Sequence, residues 1–117
     1  MLVVDDDPDI RETLRFVLED AGYPVYLAEN GKEALELLAA TEPRPGLILL
    51  DLMMPIMSGD EVLRALKAVH ALATIPVTVV TASGVPKPKE ASGMLKKPLD
   101  LDALLRVVKN NCGEASP

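Results

Sequence analysis

Three short apolar runs, each followed at once by an acidic or hydroxyl side chain, constrain this sequence most. Residues 1–4, 47–50 and 77–80 are built almost entirely from Val, Ile, Leu and Met or Thr, and Asp or Thr comes next. Fully buried strands of a parallel sheet have this character, because helices cover both faces of such a sheet. The pattern predicts three central strands, with weaker strands at residues 25–28 and 93–96.

Helical patterns separate the predicted strands. The first helix is expected behind Asp7, a good N-cap, with Pro8 in its first turn. Further helices are expected at residues 31–40, behind Ser58 and behind Asp100, where apolar residues recur at helical spacing. The inward positions are Ile10, Leu14, Val17 and Leu18; Ala34, Leu35, Leu37 and Leu38; Val62, Leu63, Leu66 and Val69; and Leu101, Leu104, Leu105 and Val108.

The alternation of strand and helix predicts an α/β fold with a parallel sheet, helices on both faces and right-handed crossovers. A chain of 117 residues holds one ordinary core, so we expect a single domain over residues 1–117. The connection between the fourth and fifth predicted strands is too short for a regular crossover helix, and Pro86 and Pro88 disfavour a helix further. We therefore expect a loop or one short turn between residues 82 and 92.

Five polar side chains come directly after the strands. They are Asp5 and Asp6 after the first strand, Asp51 after the third, Thr81 after the fourth and Lys97 after the last. The carboxyl ends of parallel strands meet at one edge of a sheet, so these side chains are expected to converge there. Three converging carboxylates repel one another unless a cation neutralises them, and an all-oxygen ligand set suits Mg²⁺.

The remaining polar groups suit phosphoryl chemistry at that edge. A carboxylate can attack phosphorus if metal and side-chain cations neutralise the transferred group. Lys97 supplies a cation, Thr81 supplies a hydroxyl donor, and the small Ala82 leaves space beside it. The sequence therefore predicts a site for an anionic phosphoryl group.

These residues resemble the receiver family of two-component signalling over essentially the whole chain. The resemblance implies a flavodoxin-like (CheY-like), doubly wound, five-stranded parallel sheet of order 2-1-3-4-5 flanked by helices. It rests on the motifs Val4-Asp5-Asp6, Asp51-Leu52-Met53-Met54-Pro55-Ile56-Met57-Ser58-Gly59, Thr81-Ala82 and Lys97-Pro98.

The resemblance also implies a role for each site residue. Asp51 would accept a phosphoryl group from a sensor histidine kinase or a histidine phosphotransfer protein. Asp6, Asp51 and the backbone carbonyl of Met53 would ligate Mg²⁺, and Asp5 would hold the metal through water. The chain would then be a signalling switch with intrinsic autophosphorylation and autodephosphorylation, and not an enzyme. Its downstream target would be a protein that the sequence does not identify.

At the last two strands, the resemblance implies that Thr81 moves toward the phosphoryl group as the switch and that Lys97 pairs with it. The bond before Pro98 is one that this family often makes cis. Phosphorylation would change partner binding through Thr81 and the region 82–94.

Two positions depart from the family pattern. The residue three before the lysine is Met94 where the family usually has Tyr or Phe, so the aromatic half of the switch is missing. The segment 82–92 is too short for the fourth helix of the family, so the surface that partners read is expected to be remodelled. We predict that residues 83–89, which carry two lysines, are mobile and select partners.

Two other functions remain open from the sequence. A degenerate receiver could act as a constitutive protein-interaction module, as Met94 and the short segment would allow. An aspartate-nucleophile phosphohydrolase would share the chemistry of Asp51, but such enzymes usually carry a second acid where this chain has Met53. A thioether at Met53 positions water poorly, so slow dephosphorylation is predicted.

Composition bounds the partners and the compartment. The net charge of −6, without a Lys/Arg cluster on any predicted helix, argues against direct nucleic-acid binding. No apolar run is long enough to span a membrane, and the single Cys112 is expected to be an exposed free thiol, which suits the cytoplasm. The single histidine, His70, is given no role and no zinc site is expected.

Overall fold

The computed structural model describes residues 1–41, 44–54, 57–69, 71–82 and 84–113. His70, Ser83 and the tail 114–117 lie outside these ranges. Strands and helices alternate through the first four strands. The elements are β1 Leu2–Val4, α1 Pro8–Asp20, β2 Tyr26–Ala28, α2 Gly31–Ala40, β3 Ile48–Asp51, α3 Gly59–Ala68, β4 Val77–Thr81, β5 Gly93–Lys96 and α4 Leu101–Cys112.

The five strands form one parallel sheet in the order β2-β1-β3-β4-β5, as expected. In this register Val4 lies opposite Leu50, and Asp51 lies opposite Val80. The strands therefore end at nearly the same level, and the residues that follow them meet at one edge of the sheet.

Two apolar layers cover the sheet, because alternate residues of each buried strand point to opposite faces. Leu2, Ile48 and Leu50 pack toward α2 and α3 on one face, in the first core cluster. Val3 and Leu49 pack toward α1 and α4 on the other face, in the second core cluster. The central strands are thus buried from both sides, and this accounts for their continuous apolar sequence.

The helices begin where the capping residues predict. The side chain of Asp7 accepts a hydrogen bond from the Asp9 amide at 2.9 Å, and the side chain of Asn30 accepts one from the Glu33 amide at 2.9 Å. Ser58 and Asp100 cap α3 and α4 in the same way. These bonds satisfy amides that have no partner inside the helix, which fixes the start of each helix.

Three expectations about burial were wrong. Leu101, expected to face inward at the start of α4, is 45% exposed. Helix α3 ends at Ala68, so Val69 lies beyond the last turn and is 47% exposed instead of buried. Helix α4 continues to Cys112 and ends at Gly113, whose φ is +75°. This extra length carries Cys112 back to the molecule, where the thiol is half-buried against the second core cluster.

The connection from β4 to β5 contains no helix within the residues that the structure describes. Its second half is anchored: the Ala91 amide donates to the Pro88 carbonyl at 3.1 Å, and the Ser92 amide donates to the Val77 carbonyl at 2.8 Å. Lys87 Nζ donates to the Ala91 carbonyl at 3.0 Å, and the Ala91 side chain is buried in the first core cluster. The described part of this connection is therefore a compact loop, as the sequence predicted.

Among the helices of the described residues, none is both long enough and apolar enough to cross a bilayer.

Candidate functional site

The first strand delivers two aspartates with different environments. Asp5 is buried and its Oδ1 accepts a hydrogen bond from the Asp7 amide at 2.9 Å, whereas Asp6 is exposed. Arg11 donates from its guanidinium to the Asp5 carbonyl at 2.8 Å. Sequence reasoning missed Arg11; the available signal was a basic residue one turn into a helix that opens directly behind the two aspartates.

The third strand delivers Asp51 as a buried carboxylate, 4% exposed. Its Oδ1 accepts a hydrogen bond from the Met53 amide at 3.1 Å, which orients the side chain. Gly59 opens α3 directly against this turn, and a Cβ built at Gly59 would lie 2.6 Å from Leu52 Cα. The position of Asp51 therefore depends on a close backbone approach that only glycine permits.

The last two strands contribute Lys97 and Thr81. Lys97 Nζ lies 3.6 Å from Asp51 Oδ2 and 3.7 Å from Asp5 Oδ2. The Lys97 amide donates to the Thr81 carbonyl at 2.8 Å, so the pairing of β4 and β5 fixes both residues relative to each other. The Lys97–Pro98 peptide bond is cis, as the resemblance implied.

The three aspartates lie close enough to share one cation. Asp5, Asp6 and Asp51 each offer a carboxylate oxygen, and these oxygens lie within 4.8 Å of one another. Hard cations such as Mg²⁺ take carboxylate and carbonyl oxygens together with water. The described residues thus include an oxygen-only donor set open to solvent on the Asp6 side.

The electrostatics of this cluster act on Asp51. Burial raises the pKa of Asp51 above its usual range, and the neighbouring Asp5 and Asp6 charges raise it further. The Met53 amide and the Lys97 ammonium lower the pKa of Asp51 but do not outweigh the burial. The protein without a cation therefore holds an acid that resists ionisation, and a nearby positive charge would favour the carboxylate.

Thr81 brings a polar atom to the site without a partner. The residue is 1% exposed, and its hydroxyl oxygen has no hydrogen-bond partner among the residues that the structure describes. An unsatisfied buried hydroxyl costs free energy, and such groups in native proteins usually have a functional explanation.

The structure brings Asp5, Asp51 and Lys97 into direct contact, with Asp6 and Thr81 at the same edge. Met94, at the position where the family usually has an aromatic residue, is half-buried on β5 against the first core cluster. A parallel sheet with acidic, hydroxyl and ammonium groups converging at its carboxyl edge defines an α/β protein with a polar site of the receiver type.

Comparison with known proteins agrees with this class. The response regulator receiver domain family matches residues 1–109, and the chain belongs to this family. An uncharacterized 14.6 kDa protein of Leptolyngbya boryana is 41% identical over 118 residues, covering 96% of this chain and 88% of that protein. The response regulator MprA of Mycolicibacterium vanbaalenii is 40% identical over 111 residues, covering 90% of this chain but 46% of MprA.

Solved structures agree as well. The chemotaxis protein CheY4 of Vibrio cholerae superposes with a TM-score of 0.84 at 31% identity, covering 94% of this chain and 95% of that one. A signal receiver domain of a signal transduction histidine kinase from Syntrophus aciditrophicus gives a TM-score of 0.82 at 35% identity, covering 93% and 86%. The chain is a receiver-type signalling domain with a phospho-accepting role, and it spans about half the length of MprA.

Proposed function

We propose that Asp51 is the phosphoacceptor of a Mg²⁺-dependent switch whose donor is a phosphohistidine on a histidine kinase or a histidine phosphotransfer protein. The observation that carries the proposal is the contact of the buried Asp51 carboxylate with the Lys97 ammonium, inside a cluster of three aspartates. A buried carboxylate with a purely structural role would not require an ammonium group at 3.6 Å together with two acidic neighbours.

The chemistry is a transfer between two nucleophiles. An Asp51 oxygen attacks the phosphorus atom, the P–N bond to the donor imidazole breaks, and the bonding electrons leave with the ring nitrogen. Lys97 neutralises charge on the phosphoryl oxygens, and the hydroxyl of Thr81, which has no partner among the described residues, donates to one of them. Water attack on the same phosphorus atom later restores the Asp51 carboxylate.

Mg²⁺ fits the donor set, because the ligands are oxygens with few protein carboxylates and room for water. Asp6, Asp51 and the carbonyl of Met53 would hold the ion, and Asp5 would act through water. The bound ion would supply positive charge that keeps Asp51 ionised and offsets the charge of the phosphoryl group. Asp5, already held by the Asp7 amide and Lys97, keeps the cluster in position.

The output of the switch is proposed to pass through Thr81 and the region 82–94. Thr81 sits at the end of β4, so motion of its side chain toward a phosphate acts directly on the segment that follows. The change favours one of two states and alters the binding of a downstream protein. Such a cytoplasmic signalling role does not require the domain to act as an enzyme on a separate substrate.

Intact-mass measurement tests the acceptor. Wild-type protein incubated with Mg²⁺ and a small-molecule phosphodonor is expected to gain one phosphate, and Asp51→Asn is expected to gain none. Asp20→Asn, which changes an exposed aspartate at the end of α1, is the matched control and keeps the phosphate. Phosphate uptake by Asp51→Asn at the wild-type level would refute the assignment.

Thermal unfolding with and without Mg²⁺ tests the cofactor. A ligand that binds the native state stabilises it by RT ln(1 + [L]/Kd), about 2.7 kcal/mol at a hundredfold excess over Kd. We expect this stabilisation in the wild type and in Asp20→Asn, and its loss in Asp6→Asn. An equal effect of Mg²⁺ on all three proteins would rule out the proposed ligand set.

A second candidate function is a constitutive interaction module. It is favoured by Met94 on β5 and by the loop between β4 and β5, where the receiver family usually has a helix. Absence of phosphate uptake under every donor and metal condition would favour this function over the switch.

A further inference from the structure

The five methionines of the chain differ widely in exposure. Met53 is 75% exposed, whereas Met54 is 9% and Met1 is 7% exposed. Met57 and Met94 are half-buried against the first core cluster. Oxidants reach exposed thioethers first, so Met53 is the methionine of this chain that a peroxide is expected to oxidise first.

Met53 also stands beside the reacting group. It lies two residues after Asp51, and its amide donates to Asp51 Oδ1 at 3.1 Å. The thioether is poorly suited to hold a water molecule beside Asp51, because sulfur is a weak hydrogen-bond acceptor. A polar atom at the same position could accept a hydrogen bond from a water molecule near the carboxylate.

We propose that Met53 is a site of reversible oxidation by peroxides and that its sulfoxide shortens the lifetime of the phosphate on Asp51. The second part rests on the function proposed above. The signal held by the domain would then depend on the oxidant level as well as on the phosphodonor.

The oxidation balances with hydrogen peroxide as the oxidant. The sulfur lone pair attacks one peroxide oxygen, the O–O bond breaks, and the products are the sulfoxide and one water molecule. The sulfoxide oxygen is a strong acceptor on a side chain that was apolar before. It can orient a water molecule by accepting a hydrogen bond from it, while the oxygen atom of that water attacks phosphorus.

Peptide mapping and phosphate lifetime test the proposal together. The protein is treated briefly with hydrogen peroxide, sulfoxides are located by mass spectrometry, and the protein is then phosphorylated with acetyl phosphate and Mg²⁺. Met53 is expected to oxidise before Met54, Met57 and Met94. The phosphate half-life is expected to fall by roughly 2- to 10-fold, the rate effect of one added hydrogen bond in the transition state.

Two variants serve as matched controls. Met53→Leu cannot form the sulfoxide, so peroxide should leave its phosphate half-life unchanged. Met57→Leu leaves the Met53 side chain in place, so its phosphate half-life should respond to peroxide as that of the wild type does. Treatment with a thiol-dependent methionine sulfoxide reductase should restore the original half-life.

The outcomes separate the two proposals. Phosphate uptake with a half-life that peroxide leaves unchanged, or that falls equally in Met53→Leu, overturns the role of Met53 alone. Oxidation of Met54 or Met57 ahead of Met53 overturns the assignment of the modification site. Absence of phosphate uptake by the untreated protein overturns the switch itself and the lifetime effect with it.

Discussion

Thr81 carries a hydroxyl group that is buried at the site without a partner in the described part of the chain. Replacement by valine keeps the shape of the side chain and removes the unsatisfied oxygen. We expect Thr81→Val to stabilise the metal-free protein by about 1 kcal/mol, because an unsatisfied buried polar group costs about 1–3 kcal/mol. Urea denaturation followed by far-UV circular dichroism measures the difference.

The same variant should accept phosphate more slowly, because the donor to the phosphoryl oxygen is lost. A Thr81→Val protein that is less stable than the wild type by 1 kcal/mol or more would mean that the hydroxyl already has a partner in the native state.

Met53 is expected to make the phosphate long-lived. Its thioether orients water poorly, whereas asparagine offers both a donor and an acceptor at that position. Met53→Asn should therefore shorten the phosphate half-life by roughly 2- to 10-fold, as one added hydrogen bond would. The half-life is measured by intact mass after removal of the phosphodonor. A half-life equal to or longer than that of the wild type would contradict the expectation, and Met53→Leu serves as the apolar control.

Helix α3 depends on Gly59 for its approach to the acceptor strand. A Cβ at this position would lie 2.6 Å from Leu52 Cα and 2.8 Å from the Asp51 carbonyl oxygen, and backbone cannot give way as a flexible side chain can. We expect Gly59→Ala to destabilise the protein by about 1–3 kcal/mol through overpacking and to slow phosphorylation by displacing the turn after Asp51.

Gly46→Ala is the matched control, because a Cβ at Gly46 would meet its nearest neighbour, the Cys112 sulfur, at 3.4 Å. Chemical denaturation compares the two variants. Equal stabilities for them would mean that α3 can shift away from β3 without cost.

The loop between β4 and β5 has an anchored half and an exposed half. The amides of Ala91 and Ser92 donate to backbone carbonyls, and the Ala91 side chain is buried, whereas Gly84 and Val85 are exposed. The motion predicted for the lysine-bearing segment is therefore expected in residues 84–86, because Lys87 is tied to the Ala91 carbonyl. Native-state hydrogen exchange should show slow exchange at Ala91 and Ser92 and fast exchange at Val85. Equal protection at all three amides would argue against a mobile half.

The buried acidic site lowers the stability of the whole molecule at neutral pH. The pKa of Asp51 is raised in the folded state, mainly by burial, so the folded protein holds the proton to a higher pH than the unfolded chain does. Stability therefore falls as the pH rises from the unfolded value of about 3.9 through the folded value, by about 1.4 kcal/mol for each unit between them.

Asp51→Asn removes this cost. In the absence of Mg²⁺ the variant should be more stable than the wild type at pH 7, and the advantage should shrink as the pH falls toward about 4. Urea denaturation at a series of pH values measures it, with Asp20→Asn as a control for the loss of one exposed charge. A constant difference across the pH range would mean that Asp51 ionises equally in both states.

The sequence by itself determined the alternation of strands and helices, the sheet edge and the five polar residues on it. These features follow from local patterns: apolar runs for buried strands, capping residues such as Asp7 and Ser58 for helix starts, and prolines that prevent a helix after β4. Family resemblance supplied the strand order, which the structure confirms.

Only the tertiary structure decided how these parts meet. The half-burial of Cys112 and the exposure of Val69 depend on where α4 and α3 end against neighbours far away in the chain. The contacts of Lys97 with Asp5 and Asp51 depend on the relative positions of different strands, as does the lack of a partner for the Thr81 hydroxyl among the described residues. Such distances and burial arise from packing between elements, which periodicity and composition do not encode.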